Sequence, residues 1–149
     1  MNALPADSVI LVADDDDDDY LLLQKAFKWC DIGVELRRAH DGVQLLDMLR
    51  KDGIAPRVLL ILMDLNMPRK DGRQSIRELK SDPKLRAIPI VVLTNSQDES
   101  DAVLSYDLGA NSFLFKPFSF QELVARMSAL KTYWLDSAEL PCKTKPSAT

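Results

Sequence analysis

The stretch Val58-Leu-Leu-Ile-Leu-Met63, followed at once by Asp64-Leu-Asn66-Met-Pro68, decides the fold. Six apolar residues without polar alternation read as a strand covered on both faces, the situation of a central strand in a parallel sheet flanked by helices. Outward from it, shorter apolar runs recur at Val9–Ala13, Val34–Ala39, Ile90–Leu93 and Ser112–Phe115. Between these runs, Tyr20–Trp29, Val43–Leu49, Ser75–Leu79 and Asp101–Leu108 carry apolar residues three and four apart, which places them on one face of a helix. A fifth helix is predicted from Ser119, an N-cap with Glu122 as its capping-box partner, through Leu123, Met127 and Leu130. Strand and helix thus alternate, and right-handed crossovers leave few topologies for five parallel strands. The expectation is an α/β, flavodoxin-like (βα)5 fold, a doubly wound parallel sheet in the order 2-1-3-4-5.

The remaining composition narrows the class. At 149 residues the chain suits one domain that buries a core without disulfides or a structural metal. Nineteen basic residues against 23 acidic ones give a net charge of −4, and no basic stripe with interleaved aromatics occurs, so a nucleic-acid partner is not expected. No apolar run is long enough to span a bilayer and Met1 to Ser8 lacks the pattern of a signal peptide, so no membrane association and a cytoplasmic location are expected. Cys30 and Cys142 are read as plain thiols, His40 as structural or surface, and Trp29 as a packing residue. From Asp136 the chain turns to Ser, Pro, Lys and Thr without apolar periodicity. Residues 1–135 are therefore read as the domain and 136–149 as a tail, with no output domain.

In an open parallel sheet, ligands bind beyond the carboxyl ends of the strands, so the polar residues that follow each apolar run matter most. Asp14 and Asp15 follow the first run, Asp64 the third, Thr94 the fourth and Lys116 the fifth. Three converging carboxylates repel one another unless a cation intervenes. Mg²⁺ suits them, because it takes oxygen ligands and is held by one or two carboxylates plus a phosphate oxygen. Thr94 and Lys116 can each donate a hydrogen bond to that phosphate, so the set reads as a phosphoryl-transfer site.

Four segments carry a family resemblance: Val12-Ala-Asp14-Asp15, Met63-Asp64-Leu-Asn66-Met-Pro68 with Asp71-Gly72, Leu93-Thr94-Asn-Ser96, and Phe115-Lys116-Pro117-Phe118. Together they resemble the defining blocks of two-component response regulator receiver domains over about residues 8 to 131, each on its expected strand and in order. The resemblance implies that Asp64 takes a phosphoryl group from a sensor histidine kinase. It implies that Asp14, Asp15, Asp64 and the backbone carbonyl of Asn66 hold Mg²⁺, that Lys116 pairs with a phosphoryl oxygen, and that the Lys116–Pro117 bond is cis. It also implies a switch, in which Thr94 moves to the phosphate and Phe113 swings inward behind it, changing a face made by Asp101–Leu108, Ser112–Phe115 and the last helix. The protein would then be a phosphoacceptor rather than an enzyme acting on other molecules.

Further along, Lys131-Thr-Tyr133-Trp134-Leu135 with Ala138-Glu-Leu-Pro141, and Ser105-Tyr106-Asp107-Leu108-Gly109-Ala110-Asn111-Ser112, resemble the small response regulators paired with bacterial and cyanobacterial phytochromes. That subgroup implies a light-regulated kinase as donor and a homodimer, for which Tyr133 and Trp134 are candidate contacts.

Blander readings stand beside these. Asp17–Asp19 fit the first turn of a helix, where the macrodipole favours negative charge, and are given no part in the metal chemistry. An EF-hand over Asp14, Asp16 and Asp18 fails, since its sixth position is Asp19 and its twelfth Lys25. Asp71-Gly72 alone suggests a turn into a helix, and Met48, Met63, Met67 and Met127 suggest packing. A haloacid-dehalogenase-like phosphatase needs Asp-x-Asp-x-Thr after the first strand, where this chain has Asp18 at the fifth position. A pseudo-receiver, a binding module indifferent to phosphate, remains the main alternative. Asn95, bulkier than the residue frequent after the threonine in receivers, is expected to narrow access to Asp64.

Overall fold

The computed structural model describes residues 4–141; Cys142 and the remainder of the expected tail lie outside the described residues. Five strands, β1 (Val9–Ala13), β2 (Glu35–Ala39), β3 (Val58–Met63), β4 (Ile90–Thr94) and β5 (Ser112–Phe115), alternate with helices α1 (Asp17–Trp29), α2 (Gly42–Arg50), α3 (Gly72–Ser81), α4 (Glu99–Leu108) and α5 (Phe120–Leu130). The strands pair in parallel in the order β2-β1-β3-β4-β5, the order expected from the sequence.

Every residue of β1, β3 and β4 is buried because helices cover both faces. Alternate side chains of β1 sort the core in two. Val9, Leu11 and Ala13 pack with Leu45, Leu46 and Leu49 of α2 and Ile76 and Leu79 of α3. Ile10 and Val12 pack with Leu23, Ala26 and Phe27 of α1 and Leu123, Met127 and Leu130 of α5. Each such large side chain contributes about 1.5 to 3 kcal/mol by leaving water.

Capping sets the helix starts. Asp16, Asp41, Asp71, Asp98 and Ser119 sit in extended conformation and accept from amides of the first turn, and Asp71 with Gln74 forms a reciprocal capping box. Helices α1, α3 and α4 therefore begin before the first apolar residue of their periodic pattern. Helix α4 is the exception in packing. Ser105 is its only buried residue, while Val103, Leu104 and Tyr106 face outward.

Four expectations need correction. Trp29 does not pack inside: it is 75% exposed and meets Phe120 edge-on at the surface, because its place at the end of α1 lies beyond the covered stripe. Trp134 is partly buried against the α1–α5 layer, so of the two candidate contacts only Tyr133, at 58%, is well exposed. The chain also stays helical past Leu130, as a π-helix over Lys131–Ser137 that buries Leu135, and Leu140 packs on the same layer. Finally, no cis peptide bond occurs among the described residues, so Lys116–Pro117 is trans, the isomer favoured for X–Pro wherever nothing forces the other, and Lys116 reaches its partners from it.

Candidate functional site

The C-terminal ends of β1, β3 and β4 and the residue after β5 lie at one edge of the sheet. Asp14, Asp64 and Thr94 are buried there, and Asp15 is exposed at the rim. One carboxylate oxygen from each of Asp14, Asp15 and Asp64 lies within 4.8 Å of the others. Three hard oxygen donors at that spacing, with one side open to water, fit a divalent cation that keeps part of its hydration shell. Asn66, on the loop that follows Asp64, donates its amide to Asp64 Oδ1 at 3.1 Å.

Lys116 binds the edge together. Its Nζ lies 2.8 Å from Asp14 Oδ2, 2.8 Å from Asp64 Oδ2 and 2.7 Å from Asp19 Oδ2, with its side chain 9% exposed. Burial alone would lower the lysine pKa, but the hydrogen bonds it donates to the three carboxylates reverse this and hold it above its ordinary range. At Asp14 the balance goes the other way. Burial pushes its carboxyl up, and the contacts with Lys116 and the Asp16 amide offset that only in part.

Thr94 Oγ1 donates to Asp64 Oδ1 at 3.0 Å and accepts from the Ser96 amide at 3.3 Å. The hydroxyl thus already engages the carboxylate that a phosphoryl group would modify. Asn95 is exposed beside it. Phe113, opposite Val92 in the β4–β5 register, is partly buried, stands edge-on to Phe115 at 5.4 Å between centroids, and donates its amide to Tyr106 Oη at 3.2 Å. His40 is exposed and bonded to Gln44, in keeping with a surface role.

The sequence reading missed several participants. Asp19, dismissed as a helix-start residue, reaches Lys116 because the first turn of α1 overhangs the end of β1. Arg38 donates through Nε to the Asp14 carbonyl at 2.9 Å and through Nη1 to Asp17 at 2.7 Å, and lies over the Tyr20 ring at 5.2 Å. The strand-end rule does not find it, because Arg38 lies inside β2, beside Val12, and the residue that follows the strand is His40. Arg73 of α3 bonds Asp101 of α4 at 2.7 Å, and Asp101 also accepts from Ser96 Oγ, tying the loop after Thr94 to two helices. Asp41, at the start of α2, binds Arg69 of the loop after Asp64 at 2.8 Å.

Comparison with known proteins agrees with this geometry. Residues 10–128 match the model of the response regulator receiver domain. The chain is 38% identical over 136 residues to response regulator Rcp1 of Synechocystis sp., covering 89% of this chain and 92% of that protein. The crystal structure of the phosphorylated cyanobacterial phytochrome response regulator RcpA superposes with a TM-score of 0.84 at 37% identity, over 91% of this chain and 99% of that one. The Mn²⁺-bound form of Rcp1 gives 0.81 at 37% identity, over 90% and 99% respectively. Fold, acidic edge and sequence agree, and the chain belongs to the response regulator receiver domain family.

Proposed function

We propose that this receiver accepts a phosphoryl group on Asp64 from a phosphohistidine of a sensor histidine kinase. The observation that carries the reading is the meeting of Asp64 with Lys116, Thr94, Asp14 and Asp15 at one sheet edge. In the transfer a carboxylate oxygen of Asp64 bonds to phosphorus as the histidine N–P bond breaks. Asp14, Asp15, Asp64 and the Asn66 carbonyl are the ligands for Mg²⁺, which when bound neutralises charge on the transferring oxygens. Lys116 keeps its bond to Asp64 and turns one of the N–H groups now on Asp14 or Asp19 to a phosphoryl oxygen.

Phosphorylation adds about −1.5 to −2 charge and three acceptor oxygens. The Thr94 hydroxyl then has a better acceptor than Asp64 Oδ1, and its shift draws on the Ser96 contact and the loop into α4. Phe113 follows into the space behind Thr94, and the α4–β5–α5 face changes its affinity for a partner. The similarity to RcpA, a cyanobacterial phytochrome response regulator, supports a phytochrome as the kinase, and Tyr133 offers an exposed aromatic for a homodimer contact. Among the described residues no helix is long and apolar enough to cross a membrane.

Intact-mass measurement of wild type and Asp64→Asn, each incubated with Mg²⁺ and an autophosphorylated histidine kinase or a small phosphodonor, tests the reading. One phosphoryl adduct is expected on wild type, absent from the variant and absent without Mg²⁺. No adduct from any donor, with fold and Mg²⁺ binding intact, would favour the pseudo-receiver.

A further inference from the structure

The loop from Asp64 to Gly72 carries the Asn66 carbonyl and is held from outside as well as within. At its α3 end, the Gly72 amide donates to the Leu65 carbonyl at 2.9 Å. On its other side it leans on the start of α2. The Gly42 amide donates to the Lys70 carbonyl at 2.9 Å, and a Cβ at Gly42 would lie 2.5 Å from that oxygen. Between these tethers stands Arg69, in the left-handed region at φ 63°, where a side chain larger than that of glycine is strained.

The side chain of Arg69 offsets that strain through a single acceptor. Its Nε and Nη2 each lie 2.8 Å from Asp41 Oδ2. Asp41 is buried, and its two oxygens divide their work: Oδ1 accepts the Gln44 amide at 2.8 Å and caps α2, while Oδ2 faces Arg69. Capping needs only Oδ1. The Oδ2 contact reaches out of α2 to the loop that follows Asp64.

We infer that the Asp41–Arg69 pair is a positioning clamp for the metal site, holding the Asp64–Gly72 loop so that the Asn66 carbonyl stands where a cation bound by Asp14, Asp15 and Asp64 can use it. The inference rests on the function proposed above. Mg²⁺ demands near-ideal octahedral geometry, so a loop released from α2 presents that ligand poorly and affinity falls. Neither Asp41 nor Arg69 touches the cation.

Asp41→Asn separates clamp from cap. The asparagine keeps an oxygen for the Gln44 amide and turns an NH₂ group toward the guanidinium. Arg69→Gly removes the clamp from the other side and relieves the backbone strain. Calorimetric titration of the full chain with MgCl₂, well below the unfolding temperature, reads the effect on molecules that are all folded. Asp47→Asn, which breaks the exposed pair with Lys51 on the same helix, gives the background.

Both clamp variants are expected to bind Mg²⁺ about tenfold more weakly, the low end of what outer-shell partners contribute. The double variant should lose no more than the larger single effect. Affinities within threefold of wild type in both single variants, or an equal loss in Asp47→Asn, overturn the inference. Failure of wild type to take up phosphate would instead dispose of the proposed function, so the two failures are distinguishable.

Discussion

Replacing Lys116 by methionine keeps an unbranched stem and deletes the one charge that touches Asp14, Asp19 and Asp64 together. The buried pair Asp14 and Asp64 then faces itself across no more than 4.8 Å without an ammonium between. Removing one partner of a buried ion pair costs about 3 to 5 kcal/mol, because the charge left behind stays buried without its counter-ion. Asp15 and Asp19 are more exposed and add less, so the expected loss at pH 7 in metal-free buffer is about 3 kcal/mol. For a chain of this size that is a fall in Tm of about 10 °C.

The sign with pH follows from Asp14, whose carboxyl is already held above its ordinary value by burial. A carboxyl raised in the folded state contributes stability below its unfolded pKa and loses it as pH rises through the folded one. Without Lys116 the raise is larger, so the deficit of Lys116→Met should be small near pH 4 and open toward pH 7. Mg²⁺ should close much of it, and the variant should bind Mg²⁺ more tightly than wild type because the competing cation is gone. Thermal unfolding at pH 4 and pH 7, with and without Mg²⁺, measures all of this. A variant as stable as wild type at pH 7 without metal, or one that Mg²⁺ stabilises less than wild type, would refute the electrostatic account.

Other substitutions probe separate parts of the argument. A Cβ at Gly72 would lie 2.4 Å from the Asp64 carbonyl and 2.7 Å from Leu65 Cα, both backbone, so Gly72→Ala should cost about 2 kcal/mol in urea unfolding; a neutral result would mean that the start of α3 yields freely. Burial works to raise the Asp41 carboxyl, but the Gln44 amide and Arg69 outweigh it and hold it below the ordinary range. Its contribution to stability is therefore present above about pH 4 and lost in more acid solution, so Asp41→Asn should show a shallower decline below pH 4 than wild type, as a series of urea midpoints would reveal. Leu135→Ala should destabilise by about 2 to 4 kcal/mol in denaturant titrations if the π-helical extension is part of the core, and by less than about 1 kcal/mol if it is an appendage.

The sheet was legible because its strands are buried on both faces. Val9–Ala13 and Val58–Met63 stand in the structure with the limits that their apolar runs suggest. At the edge strand the signal weakens: Val34 reads as strand but packs from outside the ladder, which starts at Glu35. The extension over Lys131–Ser137 escaped notice because Tyr133, Trp134 and Leu135 are consecutive and show no helical period. At the site, Asp14, Asp15, Asp64, Thr94 and Lys116 could be found because each stands at a strand end, where topology brings distant residues together. Asp19, Arg38, Asp41 and Arg69 were hidden for the opposite reason. Each looks like an ordinary surface charge until the fold supplies a partner that is 21 or more positions away in the chain for Arg38, 28 for Arg69 and 97 for Asp19.

Helix α4 is mounted differently from its neighbours. Where α2 and α3 are keyed into the core by leucine and isoleucine, α4 buries a serine, whose hydroxyl bonds back to the Asp101 carbonyl of its own turn at 2.7 Å. Of its apolar side chains only Leu108 packs on the core, and it is partly buried, so a small rotation or slide disturbs one apolar contact rather than a row of them. The Arg73–Asp101–Ser96 contacts at its first turn then act as a pivot, and the outward Val103, Leu104 and Tyr106 travel with the barrel of the helix. In the switch proposed above, a small displacement at Thr94 would in this way be geared up into a re-aimed row of apolar side chains, readable by a protein that lies against them.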